Sequence, residues 1–223
     1  TPQAFHAFAE KKIEVYDLAS GLMIYDVAKN KVLIDKRFTA DSTWQTFPAW
    51  SADGKYLYFC EARPVNLPED YKELKYQLYR VAFDENSGLL GDSVERIDMG
   101  CDSLKSIAFP VVSPDGRYLL YTVAESGTFP IWHKDADLGM IDLQSGLPVD
   151  LSGVNSDDAD SYHAWASSGR WLAFSSRRDD HLYTRIYLVY FDKDGKAHKP
   201  FVLPQKDPDF YTLFLKSYNI PEF

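Results

Sequence analysis

Short apolar runs separated by polar turns recur along the chain, and this pattern predicts β-strands rather than helices. One segment occurs three times without a gap, at residues 47–59, 109–121 and 162–174, with starts 62 and 53 residues apart. Self-similarity of this kind is the signature of a repeat architecture. We therefore expect an all-β chain that is built from repeated units.

Each copy of the segment predicts a β-hairpin. In the second copy the turn is Ser113-Pro114-Asp115-Gly116. Pro fixes the φ of a type I turn, Asp can bond to the local backbone, and Gly supplies a positive φ. The aromatic and aliphatic residues after the turn are typical of a strand that is buried on both faces between stacked sheets.

A second motif follows each hairpin, namely an apolar run that ends near an Asp and then a polar turn with Gly. The pairs are Asp84 with Gly88, Asp142 with Gly146, and Asp192 with Gly195. A fourth strand is predicted after each turn, at residues 94–97, 148–151 and 201–203. Four antiparallel strands per unit make a β-propeller blade, whereas a strand-and-helix solenoid would require helical segments that the units lack.

The predicted organisation is three full blades and a partial one. Residues 1–43 form an N-terminal segment with a partial blade, and residues 209–223 form a tail that packs on the propeller. The full blades span residues 44–105, 106–158 and 159–208. Propellers close with about four to eight blades, so we expect a part of a larger, six- to eight-bladed ring. A charged insertion in the first full blade is either a solvated loop or a binding lid.

Charge and composition restrict the partners of the protein. Lys and Arg number 24 against 33 Asp and Glu, and the net charge of −9 disfavours binding to nucleic acid. No apolar run approaches the roughly 18 residues of a membrane-spanning helix. Cys60 and Cys101 are in no metal-binding spacing, and we expect two buried or half-buried free thiols.

The repeats resemble the WD-repeat-like blades of the TolB-like propeller family. Residues 47–59 and 109–121 carry Phe-Pro-x-x-Ser-x-Asp-Gly-[Lys/Arg]-Tyr-Leu, and the third copy departs from it at His163 and Ser168. The resemblance implies a bacterial, periplasmic or envelope-associated protein whose propeller mouth binds proteins or small ligands. The chain is not expected to be TolB itself, because nothing in it matches the small α/β domain that precedes that propeller.

Two polar and aromatic stretches, residues 129–137 and 175–185, lie at equivalent places in neighbouring blades. Equivalent loops share one face of a propeller, so we expect one ligand-binding patch. Its members are His133, Arg177, Arg178, Asp179, Tyr183 and Arg185. Paired arginines beside aromatic rings suit a carboxylate or phosphate, so the expected partner is a protein or a small anionic ligand. The alternative is that Arg177 and Arg178 form ion pairs with nearby aspartates.

His163 is a further candidate ligand-binding residue, since a histidine facing the channel could share a metal ion with His133. Propeller histidines hold a metal in oligogalacturonate lyases, which resemble this fold, but no metal-spacing motif occurs here. Residues 155–160 offer oxygen ligands for Ca²⁺, yet they lack the Gly and Glu of an EF-hand loop. We therefore assign no cofactor and no metal residue, and interpret the two features as structural.

Catalytic motifs such as GxSxG, the P-loop, GxGxxG and HExxH do not occur. The leading hypothesis is a non-enzymatic TolB-like propeller that binds a protein or small ligand in the cell envelope. One alternative is a metal-dependent polysaccharide lyase or hydrolase of the oligogalacturonate type that uses the propeller histidines. Another is the propeller domain of a prolyl-oligopeptidase-type peptidase.

Overall fold

The computed structural model describes residues 2–7, 13–97 and 104–223. At the N-terminus, β1 (Gln3–Ala7) pairs with β2 (Ile13–Asp17), and β3 (Ile24–Asp26) pairs with β4 (Lys31–Leu33), both antiparallel. These two pairs form separate two-stranded sheets. The strand β2 thus pairs with β1 and not with β3 or β4. A short 3-10 helix, Lys36–Phe38, follows.

Three four-stranded antiparallel sheets make up most of the chain, each with its strands in sequence order. The first contains β5 (Trp44–Trp50), β6 (Tyr56–Ala62), β7 (Gln77–Asp84) and β8 (Leu89–Arg96). The second contains β9 (Ser106–Val112), β10 (Tyr118–Ala124), β11 (Asp137–Asp142) and β12 (Leu147–Pro148). The third contains β13 (Asp160–Trp165), β14 (Trp171–Ser176), β15 (Arg185–Tyr190) and β16 (Phe201–Val202).

The hairpin turns have the expected chemistry. Gly54, Gly116 and Gly169 have φ values of +70°, +75° and +64°, which favour glycine. In the second sheet Asp115 accepts hydrogen bonds from the Ser113 hydroxyl at 2.6 Å and from a backbone amide at 3.1 Å. The same motif recurs in the first sheet. The predicted four-stranded units are confirmed, although β8 begins at Leu89, earlier than the sequence pattern indicated.

Apolar side chains fill the spaces between neighbouring sheets. Tyr58 and Leu78 of the first sheet pack with Leu119 and Ile141 of the second. A second cluster joins the second and third sheets. The first strands of neighbouring sheets, β5 with β9 and β9 with β13, lie against each other. Sheets arranged side by side with their first strands together are propeller blades, so the predicted all-β propeller fold is confirmed.

The partial blade packs on the outer side of the first sheet, where Leu22 and Phe38 join Leu57 and Phe59 in a third apolar cluster. Two short 3-10 helices, Tyr71–Glu73 and Pro130–Trp132, lie in loops between the second and third strands of their sheets. The tail contains one helical turn, α1 (Phe210–Leu213), followed by extended chain.

Cys60 is fully buried, and burial raises the pKa of its thiol. The prediction of a buried free thiol is therefore confirmed for Cys60. Cys101 lies outside the described residues. In the described parts of the chain, no helix has the length and apolar character needed to cross a membrane.

Candidate binding site at the propeller mouth

Three loops meet at one end of the sheets, and we call them the mouth loops: residues 63–76, 125–136 and 177–184. Each connects the second strand of its sheet to the third. The Gly127 amide donates to the Leu74 carbonyl at 2.9 Å, which joins the first loop to the second. The Asp160 amide donates to the Ala136 carbonyl at 2.8 Å, which joins the second loop to the third sheet. The charged insertion of the first blade is thus one of three neighbouring mouth loops.

An aromatic residue stands at the same position of all three inner strands, and we call Phe47, Phe109 and Tyr162 the aromatic row. Their φ values are +52°, +54° and +42°, and a β-bulge interrupts the ladder at each position. The Phe109 ring centroid lies 4.5 Å from that of Phe47 and 4.5 Å from that of Tyr162. Bulky residues seldom adopt positive φ, so this threefold recurrence is a structural device that stacks rings across the inner strands.

One cavity of about 440 Å³ opens between five parts of the chain, and we call it the mouth cavity. The β1–β2 hairpin, the second and third mouth loops, Tyr162 of the aromatic row and the C-terminal tail contribute its walls. Its lining residues are Gln3, Val15, Phe129, Ile131, Trp132, Tyr162, Thr184, Ser217, Tyr218 and Asn219. Its volume lies within the range of about 300–1,000 Å³ that is typical of small-molecule sites.

Trp132 and Arg177 connect two mouth loops at the rim of the mouth cavity. The Arg177 guanidinium lies 5.2 Å from the centre of the Trp132 ring, a cation–π distance. One terminal nitrogen of Arg177 donates to the His181 carbonyl at 2.6 Å, and the buried Nε atom has no hydrogen-bond partner in the described chain. Trp132 remains 38% exposed. The contact joins the stretch of residues 129–137 to the stretch of residues 175–185.

His133 holds the N-terminal hairpin against the second mouth loop. Its Nε2 atom lies 2.8 Å from the Glu14 carboxylate, and both side chains are largely buried. The other carboxylate oxygen of Glu14 is buried, with no hydrogen-bond partner among the residues that the structure describes. The position of His133 is thus explained by a contact between the hairpin and the second blade.

Arg178 is bound within the protein. Its guanidinium donates to the Asp160 carboxylate and the Val154 carbonyl, both at 2.8 Å, and to the Ser176 hydroxyl at 2.8 Å. It also lies over the Tyr187 ring at 4.6 Å. This is the ion-pair interpretation that the sequence left open, and it leaves Arg178 few donors for a ligand.

Arg185 is buried, with 2% of its surface exposed, beneath the tail. Its guanidinium donates to the Lys216 carbonyl at 2.7 Å, the Phe214 carbonyl at 3.1 Å and the Tyr211 carbonyl at 3.3 Å. The Tyr183 ring covers it at 5.2 Å. Arg185 and Tyr183 thus attach the tail to the third blade.

Asp179 is exposed and accepts a hydrogen bond from the Tyr187 hydroxyl. Burial and the neighbouring Asp179 charge raise the pKa of Tyr187. His163 lies on the inner strand of the third blade but is only 5% exposed, with its Nδ1 atom 3.4 Å from the Thr122 hydroxyl. Burial lowers the pKa of His163 to about 4, so the ring is neutral at neutral pH.

The loop of residues 155–160 does not fit Ca²⁺, because protein donors already occupy its buried carboxylates. Asp160 binds Arg178 and the Ser156 amide and hydroxyl, and Asp158 binds the Ala159 amide and His181. Across the part of the chain that the structure describes, no group of three His, Cys, Asp or Glu side chains is arranged to hold a metal ion.

A larger groove of about 890 Å³ lies elsewhere, between the partial blade and the first sheet. Exposed apolar residues such as Met23, Ile34 and Leu89 line it. It lies away from the mouth loops, among residues of the partial blade and of the turn between β7 and β8. We assign the candidate site to the mouth cavity, where predicted loops and the aromatic row meet.

Comparison with known proteins supports the fold. No family model matches the chain, and no curated protein matches its sequence. TolB from Acinetobacter baumannii is similar at TM-score 0.53 with 14% identity, over 88% of this chain and 43% of that one. An oligogalacturonate lyase in complex with manganese is similar at TM-score 0.57 with 14% identity, over 86% and 50% of the two chains.

The oligogalacturonate lyase from Vibrio parahaemolyticus is similar at TM-score 0.54 with 13% identity, over 90% of this chain and 53% of that one. The chain thus spans about half the length of these solved proteins. The structures that share its fold are TolB-like and related β-propellers. At these identities the likeness shows the fold alone. Within the described residues, His133 pairs with Glu14 and His163 is buried beside Thr122.

The site residues named from the sequence were mostly charged groups, and no residue that lines the mouth cavity was among them. Phe129, Ile131, Trp132 and Thr184 lie within the polar and aromatic stretches, whereas the tail residues do not. One signal was present: an aromatic residue opens all three copies of the repeat, at Phe47, Phe109 and Tyr162. The contribution of the tail had no such signal, because it lies outside the repeat.

Proposed function

We propose that this propeller segment is a non-catalytic binding module whose mouth takes a small ligand or a segment of a partner protein in the bacterial cell envelope. The observation that carries the proposal is the mouth cavity, in which aromatic side chains from separate parts of the chain meet in an open pocket. Concave, mostly apolar pockets with a few polar groups are typical ligand sites.

The polar residues around the cavity support a binding role. Arg178, Arg185 and His133 are held in contacts that stabilise the fold, and the buried, neutral His163 faces a threonine. General acid–base or nucleophilic catalysis needs side chains within reach of a substrate. The envelope location follows the resemblance to TolB-like propellers and is part of the proposal.

A screen for ligands that raise the melting temperature tests the binding role. We expect ligands whose stabilising effect is lost in Phe129→Ala and Trp132→Ala and kept in Trp171→Ala, a tryptophan of similar exposure on the third sheet. Ligands that stabilise all variants equally would place binding elsewhere. Turnover of an oligogalacturonate or peptide substrate that is lost in His133→Ala or His163→Ala would contradict the non-catalytic assignment.

A further inference from the structure

The chemistry of the mouth cavity narrows the class of ligand. Of the described residues that line it, none carries a formal charge. The apolar part of the wall is Val15, Phe129, Ile131, Trp132, Tyr162 and Tyr218. The polar part is Gln3, Thr184, Ser217 and Asn219, which offer amides and hydroxyls that both donate and accept hydrogen bonds. Such a wall matches a ligand that has apolar faces and hydroxyl groups but no charge.

The backbone around the cavity is already hydrogen-bonded. The Tyr218 amide donates to the Thr184 carbonyl at 3.0 Å, and the Thr184 amide donates to the Ser217 hydroxyl at 3.2 Å. The Asn219 carbonyl accepts from the Ser175 hydroxyl. A peptide that binds as an added strand needs free backbone donors and acceptors. The part of the wall formed by the tail offers few, so recognition there depends on side chains.

Two arginines of the third blade near the cavity make contacts within the protein. Arg177 stacks on the Trp132 ring and donates to the His181 carbonyl, and Arg185 is buried under the tail. An acidic sugar or a phosphate would lose its bound water on entering the cavity and would find no cation in the wall. The lost hydration would therefore weaken its binding. An uncharged ligand avoids this cost.

The aromatic rings of the cavity also suit a sugar ligand. Trp132 is partly exposed at the rim, and Tyr162 and Tyr218 lie in the wall. The face of an aromatic ring is electron-rich and attracts the weakly positive C–H groups on the apolar face of a sugar ring. Resting on the proposed binding function, we propose that the mouth cavity binds an uncharged sugar unit, which stacks on these rings and bonds to the amides and hydroxyls.

Calorimetric titration tests this proposal with defined probes, namely cellobiose, lactose and maltotriose as neutral saccharides and digalacturonate as the acidic one. We expect at least one neutral saccharide to bind more tightly than digalacturonate. Trp132→Ala should weaken that binding roughly tenfold or more, since stacking on a large ring contributes on the order of a kcal/mol or more. Trp132→Phe should restore part of it, and Trp171→Ala should leave it within about twofold. Circular dichroism and melting temperature confirm that each variant folds.

The other outcomes separate this proposal from the binding function on which it rests. If digalacturonate binds more tightly than the neutral saccharides and this binding is lost in Arg177→Gln, the ligand is not uncharged. The mouth would then remain the binding site. If no saccharide binds but the wider screen finds another ligand whose binding is lost in Trp132→Ala, the proposal of a sugar ligand is wrong and the proposed binding function stands. Saccharide binding that ignores Trp132→Ala would overturn the assignment to this cavity. If neither the saccharides nor the wider screen gives a ligand that depends on the cavity residues, both proposals fail.

Discussion

The second and third blades border the same mouth, yet they use their mouth loops differently. The loop of the second blade leaves Trp132 partly exposed beside an open cavity. The loop of the third blade is richer in charge, but Arg178 and Arg185 are bound to Asp160 and to carbonyls of the tail. Charged residues in a loop are thus poor evidence of a ligand site until their partners are known, because buried charges require partners.

The comparison predicts that the arginines of the third blade contribute to stability. We expect Arg185→Met to lower the free energy of unfolding by roughly 3–5 kcal/mol, since it leaves buried carbonyls of the tail without donors. Urea denaturation measures this effect. Arg177→Met is the matched control and should cost about 1 kcal/mol or less, because Arg177 is half-buried and donates one hydrogen bond to the protein. If Arg185→Met and Arg177→Met lower the free energy of unfolding equally, the predicted difference between the two arginines is wrong.

His163 makes a pH-dependent contribution to the third blade. Its pKa is lowered to about 4 by burial, from an ordinary value of 6.5. As pH falls from about 6.5 to about 4, the unfolded chain takes up a proton that the folded chain does not, so stability falls. The shift corresponds to about 3 kcal/mol.

Denaturation at several pH values, compared between the parent protein and His163→Gln, isolates this effect. We expect the difference between the two proteins to change over that pH range and to be constant above about pH 7, where His163 is neutral in both states. A difference that does not depend on pH would show that His163 is accessible to protons in the folded protein.

The hairpin turns of the two blades differ on a smaller scale. Asp115 accepts two hydrogen bonds in the second blade, whereas Ser168 at the equivalent position accepts one backbone amide at 3.3 Å. We expect Asp115→Ala to cost about 1 kcal/mol and Ser168→Ala to cost less than about half of that. Thermal denaturation of the two variants checks the order, and the reverse order would contradict the role of the Asp in the turn.

A moderate effect on stability is expected at the second mouth loop. Trp132→Ala removes a ring that is 38% exposed and its cation–π contact with Arg177, and should lower the free energy of unfolding by about 1–2 kcal/mol. The same substitution is expected to have the largest effect on ligand binding. If it unfolds the protein, Trp132 is a residue of the core, and the contrast between the two blades is wrong.

Much of the fold followed from local sequence. The hairpin turns that end in Gly, the apolar strands after them and the Asp-to-Gly turns predicted three four-stranded units, because turn geometry and strand burial are encoded by neighbouring residues. The pairing of β2 with β1 was not predictable in this way. Isolated two-stranded pairs carry no repeat signature, and their position depends on contacts such as Glu14 with His133.

The candidate site was predictable only in part. The sequence correctly indicated that the loops of the second and third blades meet, as Arg177 and Trp132 do. It did not show which arginines are bound within the protein, since Asp160 and the tail carbonyls are distant in sequence from the loops they contact. The left-handed backbone at Phe47, Phe109 and Tyr162 also depends on the bulge that each inner strand forms with its neighbour.

The amino-acid sequence alone therefore determined the kind of unit, its number and the turns within it, because these depend on residues a few positions apart. Tertiary structure decided which polar side chains form contacts that stabilise the fold and which aromatic side chains line an open cavity. The difference depends on how deeply each side chain is buried and on its partners in distant segments, above all the tail and the N-terminal hairpin. These two segments lie outside the repeat, so the repeat pattern does not predict their contacts.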